Sequence, residues 1–549
     1  MARTGKVILA KNINVDKNYK NVLAYTESEM YSLVYANKTS ELTNCSFIRD
    51  DNSMEVGLSY ATCQMANYLA FQNTSYSSKW FFAFIDKIEY VSNAVTRIYY
   101  TIDIWSSWYD YWDKKPCYII RQHANTDVAG DNLVPEGLEH GEYISNSRFE
   151  STKFRNYFYA VVASISGSWD GSSFVISGEA VTKLGSDVLA GALYICNSVS
   201  DMYDLINAIL AITSPQQGTI LTSYLIPKDL FPSIDPATTN IYNIATAGYT
   251  VYTSSDEVFQ STPTSLNNYY PVNKKLLTYP YQYILASNNV GNTNVYRFED
   301  FSTTKKKFDY FGVPTVGGSI IACPESYKNV LVNKNEALIG AKYPTIGWTE
   351  DAYTNWLTQN SVNNTVRNIT TGGSLIIGGA LLAASPFTGG STALMGAGIL
   401  ASGTMSAIET AGEYYQHSIE PDSIKGMISA GDILTGLGQL SFDYYHMSIK
   451  QNYAQKLDKF FNKYGYKQNE VQTPLFGNDS YRKYWNYIQI ASDEVAAIPK
   501  YNNTTGVIIN ANDLQMINNI FRAGVTIWKL NSTIGDFDYW NVIETPSNS

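Results

Sequence analysis

Along residues 1–350, apolar positions recur mainly at the two-residue spacing of β-strands. In Ile98-Tyr99-Tyr100-Thr101-Ile102-Asp103-Ile104-Trp105, the side chains of Tyr100, Ile102 and Ile104 share one face. Residues 81–85, 157–162 and 173–177 are further runs dense in β-branched and aromatic residues, set between Gly, Ser and Asp turns. Residues 281–285 and 294–298 flank the polar stretch Ser287-Asn288-Asn289-Val290-Gly291-Asn292-Thr293, which predicts a hairpin. Helical spacing comes late. Thr349 is placed to cap a short helix through Trp356 and Leu357, with Asp351 near its positive end. Leu457, Phe460, Phe461 and Tyr464 form a second helical stripe that Gly465 stops. Asn512 or Asp513 caps a third, carrying Leu514, Ile517, Ile520 and Phe521 and closed by Gly524. The pattern predicts a mainly β chain with a few short helices packed on it.

Residues 368–408 break this pattern. These 41 residues between Arg367 and Glu409 carry no charge. Leu375, Ile376, Ile377, Leu381, Leu382, Phe387, Leu394, Met395, Ile399, Leu400, Met405 and Ile408 supply the apolar side chains. The glycine pairs Gly372-Gly373, Gly378-Gly379 and Gly389-Gly390 interrupt them, and Ser385-Pro386-Phe387-Thr388-Gly389-Gly390 has turn chemistry. Two apolar arms with a turn between them describe a hairpin, each arm near the ~17-residue lower limit for crossing a bilayer. Abundant Gly, Ala, Ser and Thr permit close packing between backbones in lipid. The segment reads either as a buried glycine-rich element inside an oligomer or as a loop that is sheltered until it enters a membrane. A constitutive anchor fits less well, because no second apolar segment accompanies it.

Composition narrows the class. The chain has 549 residues, enough for roughly two to five domains. Aromatics make up 14% of it and include 44 tyrosines, which suit half-buried strands or large interfaces. The net charge of −10 has the wrong sign for a general nucleic-acid binder. Cys45, Cys63, Cys117, Cys196 and Cys323 are odd in number and form no C-x-x-C pair, so they are expected to be reduced and mostly in the core. The N-terminal apolar run Val7-Ile8-Leu9-Ala10 is too short for a signal peptide, which points to assembly in a cytoplasm.

Catalytic chemistry is hard to find. His123, His140, His417 and His446 are the only histidines, and none is paired at metal-ligand spacing. No H-E-x-x-H, G-x-S-x-G or P-loop occurs. Residues 396–401 match a relaxed G-x-G-x-x-A, but inside the apolar run and after no recognisable strand, so no cofactor is expected. Asp50-Asp51 and Glu350-Asp351 are adjacent carboxylates, which point apart on a strand. Lys305-Lys306-Lys307 reads as a solvated loop, at best a weak phosphate contact. The sequence predicts no enzyme, no metal and no cofactor.

Four stretches, in order along the chain, resemble a known family. Residues 7–9 and 16–21 (Asp-Lys-Asn-Tyr-Lys-Asn) lead into Phe71-Gln72-Asn73, residues 79–84, Trp105-Ser106-Ser107-Trp108 and residues 119–123. Thr278-Tyr279-Pro280-Tyr281 lies midway, followed by residues 460–467 and 476–489, and then by 512–515 and 521–528. The chain resembles the tail-knob, or distal tail tube, proteins of small short-tailed phages that infect Gram-positive bacteria. Residues 126–270 carry little of the resemblance.

That resemblance implies a hexamer of β-barrel or β-sandwich subunits forming a tube through which double-stranded DNA passes without specific binding. It implies an upstream tail tube or collar protein and a distal cell-wall-degrading protein as neighbours. It places the protein in the distal tail of the virion and, during entry, at the host cytoplasmic membrane, where apolar loops plugging the lumen emerge and form a pore. The expected organisation is a tube domain over 1–125, an inserted or outer domain over 126–270 and a β domain over 271–361 with a short helix near 349–360. A long loop over 362–445 and an α+β domain over 446–549 complete it. Glu409, Glu413, His417, Glu420 and Asp422 follow the apolar hairpin; their protonation would lower the cost of moving it towards lipid, making them candidates for a pH trigger. A different class, a tail adhesin or cell-wall binder, would use the turn-rich 126–270 region and exposed aromatics such as Trp169. A cell-wall hydrolase lacks a recognisable site.

Overall fold

The computed structural model describes residues 5–48, 51–72, 79–154, 156–169, 173–176, 181–184, 187–213, 220–230, 240–244, 252–312, 318–343, 440–501 and 506–538. The chain forms two compact units. Residues 1–142, 264–281 and 449–549 make the first, and residues 143–263 and 282–448 the second. Six α-helices are found among the described residues: α1 Glu27–Ala36, α2 Tyr60–Cys63, α3 Ile104–Trp108, α4 Val199–Thr213, α5 Gln451–Tyr464 and α6 Ala511–Ala523. Strands dominate, as the two-residue period predicts.

In the first unit, β1 (Gly5–Ala10), β2 (Asn21–Leu23), β3 (Lys38–Ile48), β4 (Ser53–Val56), β5 (Tyr68–Gln72), β6 (Trp80–Ser92) and β7 (Val95–Ile102) succeed one another. All but β2 close into a six-stranded barrel in the order β1-β3-β4-β7-β6-β5, so this sheet has no free edge. The run Val7-Ile8-Leu9-Ala10 is strand covered on both sides: Val7 and Leu9 enter one apolar cluster, Ile8 and Ala10 another. The same holds for residues 81–84, where Phe81 and Ala83 face one cluster and Phe82 and Phe84 the other. Burial on both faces explains why these stretches read as continuous apolar runs. Strand β2 instead pairs in parallel with Val525–Trp528 in a five-stranded sheet. Trp485–Ile490, Cys117–Gln122 and Tyr466–Gln472 complete that sheet, joining both ends of the chain in one unit.

The run expected to remain extended through Trp105 does not. Strand β7 ends at Ile102, and Asp103 caps α3 by accepting the Ser106 N–H at 3.2 Å. The buried Asp103 carboxylate also takes Tyr68 Oη–H at 2.6 Å and Ser106 Oγ–H at 2.7 Å, bonds that hold a carboxylate inside the core. Helix is also not confined to the end of the chain. Thr26 and Glu29 form a reciprocal capping box at α1, and Ser198 pairs with Asp201 ahead of α4. Among the later helices, α5 ends at Gly465 as expected, with φ +66°. The cap of α6 is Asn510, whose Oδ1 accepts the Asp513 N–H at 2.9 Å, rather than Asn512 or Asp513. The helix expected after Thr349 lies outside the described residues.

The second unit contains three larger sheets. Ile220–Pro227, Tyr157–Ala163, Ala192–Cys196 and Ile241–Asn243 form one, with α4 packed on it. Tyr143–Glu150, Asp443–Ile449, Gln282–Ser287 and Thr293–Tyr296 form the second. Tyr252–Phe259, Lys306–Gly312, Ser319–Tyr327, Val330–Val332 and Leu338–Lys342 form the third. The hairpin expected across residues 281–298 is present, pairing Ile284 with Tyr296 and Ser287 with Thr293. Trp169 lies partly buried against the cluster built around Tyr194 and Leu205, so it is a packing residue. Cys45, Cys63, Cys117, Cys196 and Cys323 are all buried, free thiols.

Candidate functional site: the roots of the apolar segment

Every residue singled out for membrane insertion, loop flexibility or pH response, from Gly372 to Asp422, lies within residues 344–439, outside the described residues. The structure does describe both places where this stretch joins the second unit. Leu338–Lys342 leads into it and ends at Tyr343; the chain returns at Leu440 and continues into Asp443–Ile449. Tyr343, Leu440, Phe442 and Tyr444 are all buried in one apolar core with Tyr310, Ile320 and Leu338.

The two roots touch. A Cβ added to Gly340 would lie 2.9 Å from the Phe442 ring and 2.8 Å from the Ile320 carbonyl, so glycine lets the incoming strand lie against the outgoing aromatic. Phe442 stacks on Tyr310 at 5.5 Å between ring centroids and meets Phe154 edge-on at 6.3 Å. The Phe442 carbonyl accepts the Ser151 N–H at 2.9 Å, and the Tyr343 N–H donates to the Gly318 carbonyl at 2.9 Å. Burial drives the Tyr343 phenol far above its ordinary pKa, so it stays neutral. Tyr224, stacked on it at 6.5 Å, is raised by burial in the same way.

Two neighbouring asparagines in the hairpin turn hold one root each. Asn288 Nδ2 donates to the Ile339 carbonyl at 2.8 Å, while its Oδ1 accepts the Val290 and Asn292 N–H groups at 3.0 and 2.9 Å. Asn289, at φ +59°, turns the other way and donates from Nδ2 to Ser441 Oγ at 2.9 Å. The sequence marks this stretch as a turn. Its second role depends on strands that are distant in the chain, and no local pattern carries it.

Other candidates resolve into structure. Lys305-Lys306-Lys307 is a solvated loop only at Lys305, which lies in an exposed bend; Lys306 begins the strand Lys306–Gly312 and is buried. Its ammonium donates to the Thr303 carbonyl at 2.8 Å and lies 5.4 Å from the centre of the Phe301 ring. Lys305 pairs with Glu257 at 2.9 Å, and Lys307 lies 3.9 Å from Glu325. Asp51 Oδ1 accepts a hydrogen bond from Ser53 Oγ, while Asp50, Glu350 and Asp351 lie outside the described residues. His446 is buried and bonded to Gln282 Oε1 at 3.0 Å, and burial pulls its pKa down to about 4. Among the described residues, no three His, Cys, Asp or Glu side chains converge to hold a metal, and no helix is long and apolar enough to cross a membrane.

Comparison with known proteins decides the family. Residues 240–541, more than half of the chain, match the family described as Bacillus phage phi29 tail knob protein gp9, C-terminal domain. The chain belongs to this tail knob family. Residues 3–113 match a second family, the caudoviral major tail protein N-terminus, over the region of the barrel. The tail knob protein gp9 of Bacillus phage B103 is 24% identical over 98% of this chain and 98% of its own. Its counterpart in Bacillus phage phi29 is 23% identical over 98% and 99%. The solved tail knob protein gp12 of bacteriophage C1 shares the fold, with a TM-score of 0.61 at 14% identity, covering 98% of this chain and 100% of that one. Membership of the tail knob family makes the chain a structural component of a phage tail.

Proposed function

We propose that the protein forms the distal tail tube, or knob, through which phage DNA is ejected, and that its apolar segment first plugs the lumen and then enters the host cytoplasmic membrane as a pore. The observation that carries this reading is the uncharged stretch 368–408, set in a longer segment whose two ends, Tyr343 and Leu440, are buried in one core. Such a segment can leave its resting place while both ends stay fixed. It has no charges to desolvate on entering lipid.

A ring of six subunits is the expected assembly, with an upstream tube or collar protein and a distal cell-wall-degrading protein as neighbours. The net charge of −10 suits a conduit, because a basic lumen would retain phosphates. The protein's role is non-enzymatic, in the virion's distal tail after assembly in the host cytoplasm. The carboxylates and His417 that follow the hairpin would act as a pH trigger.

The test is dye release from liposomes by the purified oligomer, compared with a variant lacking residues 368–408. Leakage that disappears with the deletion supports the pore; equal leakage from both overturns it. Leakage that is the same at pH 7.5 and pH 5 removes the trigger and leaves the pore standing. Native mass spectrometry of the assembly checks the ring of six.

A further inference from the structure

We infer that a cavity in the second unit, bounded by Lys307 and Glu325, binds a neutral, hexose-sized saccharide. The cavity is open to solvent, has a volume of about 330 Å³ and is lined by Gln260, Thr303, Thr304, Lys305, Lys307 and Glu325. This volume lies at the lower end of small-ligand sites, ~300–1,000 Å³, the scale of one sugar ring.

The floor is held by the fold. Strand pairing sets Glu257 opposite Lys307 and Phe308 opposite Pro324, so Lys307 and Glu325 project side by side from neighbouring strands. The turn bearing Thr303 and Thr304 is tied down from several directions. Ser302 N–H donates to the Ser326 carbonyl at 2.9 Å, Lys306 Nζ reaches the Thr303 carbonyl, and Thr303 Oγ1 donates to the Lys305 carbonyl at 2.8 Å.

The charge arrangement selects the ligand. Lys305 is neutralised by Glu257 at 2.9 Å, and Lys307 faces Glu325, so the site carries no net positive field. An anion entering it would meet ammonium and carboxylate groups in equal number and gain no net attraction. A neutral polyol meets a different environment. The Lys307–Glu325 pair is loose, at 3.9 Å, and both side chains are partly open to solvent, 39% and 27%. One hydroxyl can therefore accept a hydrogen bond from the ammonium and donate one to the carboxylate, closing the gap between them. The Gln260 amide and the Thr304 hydroxyl offer further donors and acceptors for neighbouring hydroxyls on a ring. This arrangement is independent of the pore reading and does not use Trp169.

The experiment is saturation-transfer NMR on the full-length oligomer with glucose and N-acetylglucosamine as probes and glycerol 3-phosphate as the anionic control. Transfer to the ring protons of at least one sugar is expected, and it should fall at least threefold in Lys307→Ala and in Glu325→Ala. Thr304→Trp, which fills the cavity from an exposed position, should abolish it. No transfer to either sugar, transfer unchanged in these variants, or stronger transfer to glycerol 3-phosphate would each overturn the assignment.

Discussion

His123 shows how a single side chain can set part of the pH response. Its Nδ1 accepts the Tyr487 N–H at 2.8 Å, so Nε2 must carry the proton that it donates to the Asn462 carbonyl at 2.9 Å. A second proton on Nδ1 would set two N–H groups against each other. Burial first, then the nearby Arg482 and Arg121 cations, pull the pKa from 6.5 down to about 3. Between these values the unfolded chain binds a proton that the folded one does not. The stability is therefore complete above pH 6.5 and is lost as the pH falls towards 3. By pH 4.5 the loss from this residue is on the order of 2–3 kcal/mol. Urea unfolding at pH 7 and pH 4.5 should show a smaller pH difference for His123→Gln than for the native chain. An identical difference would assign the acid sensitivity to other groups.

At the scale of elements, the parts most legible in the sequence are those whose cause is local. The hairpin across 281–298, helix α5 with its Gly465 stop and the strand through Phe81 follow from the local pattern, whereas residues 7–10 read only as a short apolar run until the structure places them in a strand covered on both sides. Helix α1 carried a readable signature, Thr26-x-x-Glu29, among runs of β-formers. Thr26→Ala should cost about 1 kcal/mol, visible as a lower urea midpoint with an unchanged slope. The extended reading through Trp105 fails because Asp103 gains more from capping α3 and binding Tyr68 than from continuing β7. Least legible are contacts between distant strands. That Asn288 and Asn289 would hold Ile339 and Ser441 has no local trace, because the partners lie 51 and 152 residues further along the chain. Asn288 is buried, so Asn288→Ala leaves the Val290 and Asn292 N–H groups and the Ile339 carbonyl short of a partner. It should destabilise the fold by about 1–3 kcal/mol in chemical denaturation, more than Asn289→Ala.

For the molecule as a whole, the close roots separate the fold from the segment between them. With Gly340 against Phe442 and both Tyr343 and Leu440 in the core, a short flexible linker can replace residues 344–439 without moving either end. In the proposed mechanism residues 344–439 add only the cost of closing a loop, and closing about six residues instead of roughly a hundred lowers that cost by about 2.5 kcal/mol. The shortened chain should therefore melt at or above the native temperature and keep its strand signal in circular dichroism, while dye release from liposomes disappears. A control at the root separates the two effects. Phe442→Ala opens a cavity where the strands meet and should cost about 3–5 kcal/mol with the segment intact. Gly340→Ala, which forces a Cβ against Ile320 and Phe442, should cost about 1–3 kcal/mol. If the shortened chain instead loses more stability than Phe442→Ala, the segment belongs to the core, and a mechanism in which it leaves while the unit stays folded fails.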